Sequence, residues 1–240
     1  MTVSRETVAE LAGRFELPST APEAIGALLE ALAAERDPPT TVRAPAEALD
    51  RHVADSLVAL GLEELRAPRR LADLGAGAGF PGLPLAVARP RARVDLIESS
   101  ARKARVSERL ARAGGIDNVR AIVARAEEWA AAPPPAGGRG AYDVVTARAL
   151  APLAVLIEYA APLLSDGGAL VAWRGRRDRA EEAQATAAAA QVGLTPRRIV
   201  RVAPFAGARD RHLHVYVKTQ STPERFPRRP GVARKRPLGT

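Results

Sequence analysis

Ten residues, Asp73-Leu-Gly-Ala-Gly-Ala-Gly-Phe-Pro-Gly82, join an apolar run to a stretch of helical periodicity and contain four glycines. Glycine lets a backbone turn tightly and approach a ligand with no Cβ in the way. A strand that ends in such a turn and feeds straight into a helix begins a βαβ unit, which points to an α/β sheet. The rest of the chain keeps that rhythm. From Arg70, apolar runs at Leu71–Leu74, Val94–Ile97, Val119–Val123, Tyr142–Thr146 and Ala169–Trp173 alternate with helical stretches. Those stretches are Pro81–Ala88, Ser99–Ala113, Glu127–Ala132 and Pro152–Leu164. Such alternation predicts a parallel sheet covered on both faces. A helix over Asp178–Gln191 precedes two further strand-like runs, Pro196–Val202 and His212–Lys218. Their short joining loop predicts an antiparallel pair at the end of the sheet.

The flanks read differently. Val8, Leu11, Phe15 and then Ile25, Leu28, Leu29 and Leu32 recur at helical spacing, with Pro22 at a helix start and a third helix over Ala46–Leu60. Residues 1–66 are therefore expected to form a helical cap, and 67–218 the sheet domain. Residues 219–240 hold six basic side chains (Arg225, Arg228, Arg229, Arg234, Lys235 and Arg236), one acid and four prolines. This tail carries +5 of the chain's +9, and its composition predicts disorder until it meets a polyanion, with Phe226 the one residue able to dock.

Composition narrows the chemistry. The chain has no cysteine, one methionine and three scattered histidines, His52, His212 and His214. That excludes disulfide scaffolds, thiolate metal sites and a cysteine nucleophile, and no metal site is expected. The positive balance favours an anionic partner, nucleic acid before membrane lipid, although 33 arginines against three lysines also reflect GC-rich codon usage. The opening segment carries Glu6 and Glu10 and no apolar stretch, and the run Ala149–Leu164 is broken by Pro152, Glu158 and Pro162. Neither a leader nor a membrane span is expected, so the protein is read as cytoplasmic.

Two ligand classes compete for the glycine turn. Gly77-Ala-Gly79-Phe-Pro-Gly82 fits the dinucleotide spacing G-x-G-x-x-G. In that fingerprint, however, the first glycine directly follows the strand; here that is Gly75, and in its frame the third position is Phe80. An acid before the turn, Asp73, suits S-adenosylmethionine instead, whose cationic groups favour carbonyls and carboxylates. Glu98 ends the second strand, where a carboxylate can accept both ribose hydroxyls in either class. Ala126 and Glu127 follow the third strand, where an acid and an amide meet an adenine edge, and Arg148 follows the fourth. All lie at carboxyl ends of predicted strands, on one rim.

Four motifs occur in order: Arg51-His-Val-Ala-Asp-Ser-Leu57, the glycine turn with its continuation to Leu85, Thr146-Ala-Arg-Ala-Leu-Ala-Pro-Leu153, and Arg211-His-Leu213. The tail Thr222-Pro-Glu-Arg-Phe-Pro-Arg-Arg-Pro-Gly231 follows. Together, over roughly residues 40–238, they resemble the glucose-inhibited division protein B family, the 16S ribosomal RNA guanine-N7 methyltransferases. The chain departs from the family pattern at Asp37-Pro-Pro-Thr-Thr41, where Asn-Leu-Thr is usual, and at Trp173-Arg174-Gly175, where Lys-Gly is usual.

The resemblance implies a doubly wound, Rossmann-like methyltransferase sheet with an antiparallel last strand and an N-terminal helical cap. Its implied cofactor is S-adenosylmethionine, held at Gly75, Phe80, Ala126, Glu127 and Arg148, with Asp73, Gly77 and Glu98 added from the residues themselves. The implied substrate is one guanine of 16S rRNA, free or in a small-subunit particle, with the protein acting as a monomer. Rival readings are a methyltransferase of another substrate and a non-catalytic RNA-binding protein of the same fold. His52 and Asp55 lie three apart on a predicted helix, either as an acid–base pair or as a structural pair fixing the cap on the glycine turn. Guanine N7 offers a lone pair and no proton, so no general base is expected, and catalysis rests on positioning.

Overall fold

The structure, a computed structural model, describes residues 3–240; the first two residues of the predicted cap, which also open the segment read for a leader, lie outside the described residues. Seven strands form one sheet in the order β3-β2-β1-β4-β5-β7-β6. They are β1 (Arg70–Leu74), β2 (Arg93–Glu98), β3 (Val119–Val123), β4 (Tyr142–Arg148), β5 (Leu164–Arg174), β6 (Leu194–Arg201) and β7 (His212–Lys218). The first five are parallel, and β7 lies antiparallel between β5 and β6. The order reverses between β1 and β4, so the loops leaving those strands diverge and open a crevice at their carboxyl ends.

Connections carry helices on both faces: α5 (Gly82–Ala88), α6 (Ala101–Ala113), the short α7 (Ala126–Trp129), α8 (Leu153–Ala160) and α9 (Arg179–Val192). Ser100 caps α6, Asp178 caps α9 by accepting from the Ala180 and Glu181 amides, and Gly193 ends α9 in the left-handed conformation. The expected helix over Pro152–Leu164 stops at Ala160, and Leu164 already pairs with Tyr142 in the sheet. Pro162 has no amide to return to the Glu158 carbonyl, which ends the helix there.

Helices α1 (Arg5–Arg14) and α2 (Ala21–Ala34) begin the cap, whose third helix is not regular. A turn of α-helix, α3 (Pro45–Ala48), passes into a π-helical turn at Leu49–Ala54, then α4 (Asp55–Leu57) and a 3-10 turn at Val58–Gly61. Ile25, Leu28, Leu29, Leu32 and Leu57 are fully buried in the same apolar core as Leu71 and Leu83 of the sheet layer. Cap and sheet therefore share one core.

The tail is not disordered. Phe226, Ala233 and Leu238 are buried with α8 and α9 on the opposite face, and Val232–Lys235 form a helical turn, α10. Polar contacts fill in between the apolar anchors. Arg139 donates to the Phe226 carbonyl at 2.7 Å, Gln184 donates to the Leu238 carbonyl at 3.1 Å, and Arg228 forms an ion pair with buried Glu158. Composition predicted disorder because it counts charges and prolines; three spaced apolar residues and a partner for Arg228 were enough to overturn it.

Candidate functional site

A cleft of about 700 Å³ opens at the carboxyl ends of β1 to β4, a size within the ~300–1,000 Å³ of ligand pockets. Its floor is the glycine turn. Gly75 has φ +67° beneath Leu150, whose Cδ1 would lie 2.5 Å from any added Cβ. Gly77 has φ +57°, and a Cβ there would meet only the Gly75 carbonyl, at 3.9 Å, because the position faces open cleft. The first glycine admits a neighbouring side chain, while the second leaves room for a ligand.

Asp73 does not line this cleft. It is fully buried under the turn, accepting from the Gly82 amide at 2.9 Å and from Thr146 Oγ1 at 2.9 Å. Burial pushes its carboxyl up to about 7 against the opposing effect of those two hydrogen bonds. The expectation that Asp73 meets the ligand is corrected: it fixes the shape of the turn.

Glu98 does reach the cleft, with Oε2 accepting from the Gly77 amide at 3.2 Å and Oε1 from the Ser100 amide at 2.9 Å. Oε1 also accepts from Ser99 Oγ at 3.3 Å, so Oε2, with the Gly77 amide as its one partner, keeps a lone pair for a ligand hydroxyl. Ala126 and Glu127 line the far end. Their loop is steadied from below: Trp129 Nε1 donates to the Tyr142 hydroxyl at 2.8 Å, which donates to Asp95 at 2.7 Å, itself paired with Arg120. Glu127 is 6% exposed, and its Oε1 accepts from the Gly231 amide of the tail at 2.9 Å.

The near end is built by the π-helical turn. His52 stacks on Phe80 with centroids 4.5 Å apart and planes 12° from parallel. Arg148 donates to His52 Nδ1 at 3.2 Å, to Asp55 Oδ2 at 2.9 Å and to the Arg51 carbonyl at 3.1 Å. A guanidinium has no acceptor, so His52 must carry its proton on Nε2, 2.9 Å from Thr40 Oγ1. Burial, with Arg148 beside it, lowers the imidazole to about 4. His52 is therefore neutral, and both its nitrogens are occupied. The predicted pair is corrected in one respect: His52 and Asp55 do not bond each other but converge on Arg148. Asp55 is further tied to the sheet through its carbonyl, which accepts from Trp173 Nε1 at 2.7 Å. Trp173 and Arg174, unusual for the family pattern, thus have structural work: Arg174 donates to the Ala151 carbonyl and pairs with Glu181.

Sequence reasoning did not place Thr40, Lys103, Tyr159 or Arg211 on this cleft, yet all line it. Arg211 lay inside a noted motif, and its Nε approaches Asp55 Oδ1 at 3.6 Å. Thr40 lay in the noted segment Asp37–Thr41, while Lys103 and Tyr159 carry no signal a single chain reveals. The six tail cations separate. Arg225, Arg229, Arg234, Lys235 and Arg236 are exposed. Arg228 is spent on Glu158, and Arg234 lines the cleft while donating to the Leu150 carbonyl at 3.1 Å. No cluster of metal-ligating side chains occurs, and no helix is long and apolar enough to cross a membrane, among the described residues.

A doubly wound sheet with an antiparallel β7, a glycine turn after β1 and an acid closing β2 defines the class of S-adenosylmethionine-dependent methyltransferases. An O-methyltransferase of that class from Thermotoga maritima shares the fold, with TM-score 0.57 at 14% identity over 82% of this chain and 72% of its own. The family is narrower than the class. A model of the GidB family, rRNA small subunit methyltransferase G, matches residues 34–213, and the chain belongs to that family. It is 40% identical to the ribosomal RNA small subunit methyltransferase G of Pelotomaculum thermopropionicum over 83% of this chain and 82% of the relative. Its identity to the Rubrobacter xylanophilus protein of the same name is 41%, covering 82% and 75%.

Proposed function

We propose that this protein transfers the methyl group of S-adenosylmethionine to N7 of one guanine in 16S rRNA, as free RNA or within a small-subunit particle. On this reading Glu98 binds the ribose, Gly75, Gly77 and Phe80 carry the cofactor along the turn, and Ala126 and Glu127 meet the adenine. Arg148 sits where cofactor and substrate meet. The observation that supports it most is the distribution of charge around the cleft. The carboxylates of Glu98 and Glu127 line the cleft buried, while Arg51, Lys103, Arg125, Arg211 and Arg234 line it exposed or half-buried. Accessible cations beside buried carboxylates suit a polyanion laid across a bound cation.

The chemistry asked of the site is correspondingly light. N7 presents a lone pair, so in-line placement on the methyl carbon and exclusion of water carry the reaction. His52, neutral and with both nitrogens engaged, supports a mechanism without a general base. The protein is read as a cytoplasmic monomer organised as cap 1–66, catalytic domain 67–218 and C-terminal segment 219–240. Mapping methylated guanines in 16S rRNA from cells with and without this protein tests the proposal. One N7-methylguanosine that vanishes with the protein is the expected result; an unchanged map contradicts it.

A further inference from the structure

The C-terminal segment touches both lips of the cleft. From one side the Gly231 amide donates to Glu127 Oε1, in the loop that follows β3. From the other, Arg234 donates to the carbonyl of Leu150, in the loop that follows β4. Leu150 in turn covers Gly75, the first glycine of the turn. Tyr159 lies beside both Glu127 and Arg234 and lines the same end. Behind these contacts the segment is anchored by Phe226, Ala233 and Leu238, and by Arg228 on Glu158.

We infer that residues 226–236 form a wall of the methyl-donor site, with Arg234 a cofactor-binding residue at its nucleobase end and Gly231 the group that aims Glu127. The inference rests on the reading of the cleft as the S-adenosylmethionine site and goes beyond it by assigning part of that site to the tail. Two consequences follow. Arg234 brings its guanidinium to the end of the cleft that Glu127 and Tyr159 line, where a planar cation can cover a purine face. And because the strap bridges the loops after β3 and β4, a ligand held between them also holds the strap, by the reciprocity of coupled binding.

Calorimetry with S-adenosylhomocysteine on the full chain, alongside hydrogen exchange of residues 226–236, tests this. Arg234→Ala keeps all three apolar anchors and the Arg228–Glu158 pair, so its thermal midpoint should match wild type. Its affinity for S-adenosylhomocysteine should fall about tenfold, and Arg234→Lys should recover part of that loss. In the wild type, ligand at about 100 times Kd should slow exchange of the Gly231 amide by up to about 100-fold. Unchanged affinity in Arg234→Ala, or unchanged exchange at Gly231, overturns the inference. So does a loss confined to binding of an rRNA fragment, which would make the segment an RNA contact alone. Wild-type protein that binds no S-adenosylhomocysteine would mark failure of the underlying cleft reading instead.

Discussion

The two flanking segments meet the same cleft from opposite ends and are held there by different means. The N-terminal cap brings Arg51, His52 and Asp55 on helical turns whose apolar faces are part of the main core, and Thr40 on the loop that leads into them. The C-terminal segment brings Gly231 and Arg234 on a chain with three apolar anchors and a set of side chain-to-backbone hydrogen bonds. Continuous burial makes the cap inseparable from the sheet. Sparse anchoring predicts that the strap opens locally at a free energy below that of global unfolding. One end of the cleft is fixed by the fold, and the other is closed by a docked chain.

That contrast can be broken by mutation. Leu28→Ala in the cap removes a fully buried side chain and should cost about 2–5 kcal/mol of global stability by denaturant titration. A cap that merely docks would unfold by itself, in a separate earlier transition. The cap end also carries a pH signature. His52 titrates near 4 when folded against 6.5 in the unfolded chain, so the unfolded state binds more protons between those values. The group's contribution is therefore complete above about 6.5 and lost as pH falls toward 4, amounting to about 3 kcal/mol. His52→Gln should flatten that slope in an acid denaturation series, and an unchanged slope would show the imidazole is not the source. The same variant should lose less than the ~100-fold expected on removing a general base, at saturating cofactor and RNA. A bell-shaped kcat profile abolished in folded His52→Gln protein would contradict the positioning mechanism. Smallest in global terms is Phe226→Ala at the strap end. It should leave the global unfolding free energy within about 1 kcal/mol of wild type while speeding amide exchange across 226–236, since the strap opens before the core does. A full core penalty there would erase the distinction between the two segments.

Legibility in the sequence followed the same division. Strands and helices with an unbroken apolar period were readable to within a few residues, and so was the glycine turn, because special backbone geometry requires special residues. Glu98 and Arg148, picked by their place at strand ends, both line the cleft. What failed was whatever depends on a partner distant in sequence. Asp73 reads like a ligand contact until Thr146 and the Gly82 amide are seen to consume its oxygens. His52 and Asp55 read like a pair until Arg148 arrives between them. The π-helical turn that aims His52 at Phe80 has no composition of its own. Tail charge suggested disorder, since nothing local announces that Glu158 waits buried on α8 for Arg228.

All of these features converge on one claim, that the cleft over Gly75–Phe80 holds S-adenosylmethionine. Titration calorimetry of the purified chain tests it most directly. S-adenosylmethionine should bind and NADH should not. Gly77→Val, which puts a branched side chain into open cleft at a φ of +57°, should abolish binding. Glu98→Ala should weaken binding by ~1–3 kcal/mol through unpaired ribose hydroxyls. NADH binding, or wild-type affinity for S-adenosylmethionine in both folded variants, would contradict the account.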